Sequence, residues 1–176
     1  MPLRLKILPY EKIIAGFTPW SKVYIEVAKS LINNMQTDDL NVIHIGSTSA
    51  QVGGKGIIDL SILYSAGSID LAIARLSLLG FQDQISDKPF PAKRPRKDGG
   101  VIFNDRKYFV HVHVIENDCD EHVKQVQYRE YMLADTEARK AYEQSKIQIL
   151  AEGIIEQEAY GKRKSVFVKG ILQTIE

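Results

Sequence analysis

Apolar residues recur at helical spacing early in the chain, where Trp20, Val23, Tyr24, Val27 and Leu31 form one stripe and predict a helix over 19–35. Pro19 suits its first turn, Thr18 is a candidate cap, and Asn33-Asn34 followed by Thr37-Asp38-Asp39 ends it. A short strand is predicted over 40–45, stopping abruptly at Gly46-Ser47. Residues 57–64 are apolar on both faces, as in a strand central to a sheet. Ser68 and Gly80 bracket a helix over 69–79. Residues 86–100 hold three prolines and end in Gly-Gly, which predicts a loop. Strands over 101–104 and 107–115 flank a tight turn at Asp105-Arg106. The remainder reads as helices over 119–133, 136–152 and 160–174, with Asp135 as an N-cap and a break near Gly153. This order predicts one α+β (mixed α/β) domain over 1–176, a short mixed sheet flanked by helices with a helical C-terminal part.

Composition narrows the setting. The 176 residues are 44% hydrophobic and 26% charged, without repeats or low-complexity tracts. The net charge of +1 argues against a protein that coats nucleic acid or an anionic membrane, so any basic site is local. The single Cys119 excludes an internal disulfide and a multi-cysteine metal site. No apolar run approaches the roughly 20 residues of a membrane span, and the amino terminus lacks a signal layout. The expectation is a cytoplasmic protein.

Candidate chemistry begins at the Gly46-Ser47 turn. A glycine after a strand lets a phosphate approach the backbone, and Ser47, Thr48 and Ser49 add hydroxyl donors. An ordinary serine-capped turn has the same composition. Asp59 is less ordinary, because it interrupts the apolar run Ile57-Ile58-Asp59-Leu60-Ser61-Ile62-Leu63. A carboxylate in a central strand must be paired, hydrogen-bonded or metal-bound, and Lys55 or an arginine is its candidate partner. Alternation places Asp59 and Ser61 on one face. His111 and His113 likewise share a strand face, able to ligate a metal, act as acid and base, or lie on a solvated edge strand. His44 flanks the turn and reaches a carboxylate if its strand neighbours that of Asp59. Arg139, Tyr142 and Lys146 fall on one helix face, a candidate phosphate clamp or a salt-bridged surface. The basic loop 88–97 offers only Phe90 for base stacking, which argues against nucleic acid as the partner.

The chain resembles the GrpB family of the nucleotidyltransferase-like superfamily from about Tyr10 to its end. The resemblance rests on Ile43-His-Ile-Gly-Ser-Thr-Ser49, Lys55-x-Ile-Ile-Asp59, His111-Val-His113, Tyr128-Arg-Glu-Tyr131, Ala138-Arg139-x-x-Tyr142-x-x-x-Lys146 and Tyr160-x-x-x-Lys164-x-x-Phe167, in that order. It implies a nucleotidyltransferase-like fold whose Gly-Ser turn holds phosphates. In active members, carboxylates in an Asp-x-Asp or Asp-x-Glu pattern, with a third from a later strand, hold Mg²⁺. Here Ser61 stands in the second position and the later strand offers His111 and His113, so a transition metal or no metal suits the set better than Mg²⁺. Gln51-Val52-Gly53-Gly54-Lys55-Gly56 also departs from the family's Val-Pro-Gly-Leu and Lys-Pro, which predicts a looser connection.

The resemblance thus implies one of two functions. The first is transfer of a nucleotidyl group to a small-molecule acceptor, with Asp59, His111 and His113 as catalytic or metal-binding residues. The second is a non-catalytic module that binds a nucleotide or phosphometabolite. In both, His44, Gly46, Ser47, Thr48, Ser49, Lys55, Arg129, Arg139 and Lys146 are the candidate phosphate-binding residues. The acceptor, the nucleotide, the oligomeric state and the choice between Mg²⁺ and a transition metal are left open.

Overall fold

A computed structural model describes residues 5–175. Residues 1–4, on which part of the amino-terminal reading rests, lie outside the described residues. The elements run α1 (Val23–Met35), β1 (Asn41–Ile45), α2 (Gly46–Ser49), β2 (Ile58–Tyr64), α3 (Ile69–Leu79), β3 (Gln82–Asp83), β4 (Arg96–Phe103), β5 (Arg106–Glu116), α4 (Asp120–Ala134), α5 (Thr136–Ala151) and α6 (Gln157–Ile175). The sheet order is β1-β2-β5-β4-β3, with β2 and β5 parallel and the other pairs antiparallel. The fold is therefore the expected mixed α+β arrangement.

Strand alternation divides the sheet into two chemistries. One face of β2 and β5 carries Ile58, Leu60, Ile62, Val110, Val112 and Val114, all fully buried. These side chains join Val27, Leu31 and Leu76 from α1 and α3 in the main core. The opposite face carries Asp59, Ser61, His111 and His113. It faces the helical half, since Ser61 Oγ donates to Gln125 Oε1 on α4 at 2.7 Å. A second core of Ala50, Val52, Tyr128, Met132 and Tyr142 fastens α4, α5 and α6 to the turn after β1, with the rings of Tyr142 and Phe167 stacked 4.8 Å apart.

Several local expectations need correction. Helix α1 starts at Val23 rather than at 19, because the backbone of Thr18 is bonded both ways to Gly54 (2.8 and 3.1 Å) and cannot cap a helix. The tight turn lies at Asn104-Asp105, both at positive φ, and Arg106 already belongs to β5. The loop predicted over 86–100 ends early. Residues 96–100 open β4, and Gly100 exchanges two hydrogen bonds with Leu8 (2.7 and 2.8 Å), so the chain at Leu8 covers what would be an exposed edge there. Strand β5 is interior, so its histidines do not sit on an edge. Helix α6 begins at Gln157 rather than 160, where the carboxylate of Glu156 accepts from the amides of Glu158 and Ala159 (3.0 and 2.8 Å). Asp135 caps α5 as expected, accepting from the amide of Ala138 at 3.0 Å. Among the described residues, no helix is long and apolar enough to cross a membrane.

Candidate functional site

The turn after β1 is one helical turn, Gly46–Ser49, wedged against β2. Gly46 has φ +72°, and a Cβ there would lie 2.8 Å from Asp59 Oδ2, so the position demands glycine on both conformational and steric grounds. Ser49 closes the turn by donating to Gly46 O at 2.7 Å, and Trp20 Nε1 donates to Thr48 O at 2.7 Å. Ser47 is left for the cleft, where Lys146 Nζ lies 2.8 Å from its Oγ and 2.9 Å from Gly53 O. Glu143 accepts from the amide of Gly53 at 2.8 Å. The glycine-rich connection expected to be loose is thereby pinned by α5. It is also tightly packed: a Cβ on Gly53 would meet Phe17 at 2.7 Å, and one on Gly54 would meet Lys146 Nζ at the same distance.

Across the sheet, register aligns Asp59 with His111 and Asp98, and Ser61 with His113 and Arg96. Asp59 Oδ1 is 3.4 Å from His111 Nδ1 and 3.9 Å from His113 Nε2. The far nitrogen of His111 meets Tyr10 Oη at 2.9 Å, and that hydroxyl also receives Gln157 Nε2 at 3.2 Å. Asp98 is fully buried and bound bidentately by Arg96 at 2.8 and 2.9 Å. Burial opposes ionisation of Asp59, yet the hydrogen bond from His111 and the charges of His111, His113 and Lys164 outweigh it and hold the carboxyl below the usual range. Burial lowers His113 to about 4, against the partial counterpull of Asp59. At neutral pH Asp59 is thus a carboxylate and the His113 ring beside it neutral.

These rows floor a cavity of about 460 Å³ between the sheet and α4–α6. Five cationic side chains line it, Lys55, Arg96, Lys124, Lys146 and Lys164, against the carboxylates of Asp59 and Glu121. Lys55 and Lys164 stand 5.5 and 5.8 Å from the centre of one ring, that of Tyr160. Lys146 lies 4.4 Å from the ring centre of Tyr142. Burial and the repulsion of Lys164 lower Lys55 to about 8, and the same causes depress Lys146 well below the ordinary lysine range. Desolvated like charges of this kind are relieved by an anion.

The structure brings Gly46, Ser47, Thr48, Lys55, Asp59, His111, His113 and Lys146 to this cavity. It does not bring the others. Strand β1 does neighbour β2, but His44 pairs with Leu60 rather than Asp59, and its ring meets Thr48 Oγ1 at 2.8 Å. Ser49 is buried in its turn. Arg129 donates to His44 O at 2.8 Å, fastening α4 to β1. Arg139 parts from Tyr142 and Lys146, bonding instead to the carbonyls of Met132 and Leu133 (2.7 and 2.8 Å) at the end of α4. Sequence reasoning passed over Tyr10, Arg96, Gln125, Gln157, Tyr160 and Lys164 as site residues. The last three recur at i, i+3 and i+7 on α6, a spacing visible in the chain; Tyr10 reaches His111 across 101 residues and leaves no local signal.

The metal implied by the fold finds a poor donor set. Among the described residues, no three or more His, Cys, Asp or Glu side chains are arranged to hold an ion. Asp59 is the one carboxylate on its row that is not bidentately paired, Ser61 already donates to Gln125, and His111 is occupied on both nitrogens. Glu116 pairs with Tyr64 near the far end of β5. A divalent cation here would also sit among five side-chain cations. Mg²⁺ requires near-octahedral oxygen ligands, and this set does not fit it.

No curated protein matches the chain. Among solved structures, Cid1 in complex with the UTP analogue UMPNPP superposes with a TM-score of 0.51 at 12% identity, covering 79% of this chain and 43% of that one. The Cid1 poly(U) polymerase crystal structure gives 0.50 at 12%, with the same coverage. The chain therefore spans under half the length of these structures, and the likeness shows a nucleotidyltransferase-like fold alone. The profile described as GrpB protein matches residues 12–174, and the chain belongs to the GrpB family.

Proposed function

We propose that the cleft binds the phosphates of a nucleotide or another phosphorylated small molecule beside the Gly46-Ser47 turn. The observation that carries this reading is the convergence of Lys55, Lys146 and Lys164 on one partly enclosed cavity, beside a turn whose Ser47 hydroxyl faces the same space. A volume near 460 Å³ is that of an ordinary small-molecule site. Titration calorimetry with ATP, GTP, CTP and UTP tests it. Lys55→Met is expected to weaken binding by about tenfold, the loss of one charge-assisted contact, with the circular dichroism spectrum unchanged. Absence of heat with all four nucleotides, and with pyrophosphate, would end the reading.

A second reading, nucleotidyl transfer to a small-molecule acceptor, is favoured by the position of Asp59. It lies within 4 Å of two imidazoles and directly under the Gly46 turn. Release of pyrophosphate that disappears in Asp59→Ala would support transfer; binding without release leaves a recognition module.

A further inference from the structure

The charge around the cleft is the reverse of what a metal-centred phosphate site requires. Such sites gather carboxylates, and the cation they hold neutralises the ligand. Here two carboxylates, Asp59 and Glu121, stand among lysines that come from four separate parts of the chain: the segment before β2, α4, α5 and α6.

A second observation concerns α6. Gln157 and Tyr160 line the cavity, and their Oε1 and Oη atoms are buried with no hydrogen-bond partner among the described residues. Buried polar atoms in folded proteins are almost always satisfied, by protein, ligand or ordered water, so both are open to a group from outside the chain. Gln157 Nε2 donates to Tyr10 Oη at 3.2 Å, and in this orientation its oxygen is left needing a donor. Tyr160 can donate or accept, and the ammonium groups of Lys55 and Lys164 stand 5.5 and 5.8 Å from its ring centre. A fully ionised phosphate offers acceptors only and cannot serve Gln157. A hydroxyl next to the phosphate can serve both.

We propose that the cleft takes a phosphorylated, hydroxyl-bearing ligand without a divalent cation: Lys55, Lys146 and Lys164 meet the phosphate directly, and Gln157 with Tyr160 meets the neighbouring hydroxyl. This rests on the phosphate reading of the cleft and narrows it. Asp59 then acts within the protein, orienting His111, and its negative charge opposes the ligand rather than recruiting it through a metal.

Calorimetry with pyrophosphate and with ribose 5-phosphate, each in EDTA and in excess Mg²⁺ or Mn²⁺, separates the cases. The affinities are expected to be no weaker in EDTA than in metal, since pyrophosphate complexed by excess metal offers the lysines less charge, and Asp59→Asn to bind as tightly as the parent or more so. Lys164→Met is expected to weaken both probes by about tenfold. Tyr160→Phe is expected to weaken ribose 5-phosphate by about fivefold and leave pyrophosphate unchanged. Binding that needs metal and is lost in Asp59→Asn would overturn the proposal while leaving the phosphate site standing. No binding of either probe under any condition would remove the phosphate site itself. An equal effect of Tyr160→Phe on both probes, or none on either, would overturn the hydroxyl assignment.

Discussion

Gly46 shows how one residue couples the turn to the strand beneath it. Its φ of +72° costs a side-chain-bearing residue roughly 1–2 kcal/mol, and the added Cβ would press on Asp59 Oδ2 at 2.8 Å. Gly46→Ala is therefore expected to lower stability by about 2 kcal/mol or more in urea titrations and to displace Asp59 from His111. Gly170→Ala is the control, since nothing lies within 4 Å of its Cβ position in α6 and the change there should stabilise by up to about 1 kcal/mol. Equal effects at the two positions would refute the account of Gly46. This residue was legible in the sequence, as were Asp59, His111 and His113, because each breaks the pattern around it. Lys164 and Arg96 were not singled out as site residues, since a cation on a polar helix face or in a charged loop is ordinary until the fold turns it inward.

At the level of elements, the strand pair β2–β5 sets the pH response. Its polar face buries His113, lowered to about 4, while β1 carries the largely buried His44, also lowered to about 4. Burial is the main cause in both. The unfolded chain takes up protons at these histidines near pH 6.5, and the folded chain refuses them until about 4. Stability is thus full above 6.5 and falls as pH drops toward 4, on the order of 3 kcal/mol per histidine. Below that, Asp59 adds a further loss, because its folded carboxyl is held below the usual range and gives up its stabilisation on protonation. Urea midpoints measured from pH 8 to 4 should decline through this window, and His113→Gln should flatten the decline; a flat profile for the parent protein would refute the buried neutral state. Strand alternation predicted the two faces of β2 correctly. It failed on β4, where Pro95 and Gly99-Gly100 read as loop signals. The strand survives because its pairing with β5 and Leu8 outweighs local preference.

Across the whole molecule, the cleft is assembled from distant parts, and that assembly was the least legible feature. Periodicity named most elements but not the order β1-β2-β5-β4-β3, which alone determines that Asp59, His111 and Asp98 stand in one row. The same assembly forces Lys55, Lys146 and Lys164 together, where burial first and the repulsion of Lys164 second lower each of the first two. A ligand-free protein bears that repulsion as a cost to folding, so Lys164→Met should relieve it. Thermal melts at low ionic strength are expected to show Lys164→Met more stable than the parent by roughly 1 kcal/mol, or about 2–4 °C for a chain of this size. Added salt should narrow the difference through screening, while pyrophosphate should raise the melting temperature of the parent more than that of the variant. A variant less stable than the parent at low salt would mean that the contact of Lys164 with the Tyr160 ring outweighs the repulsion, and the cleft would then have no stored charge for an anion to relieve.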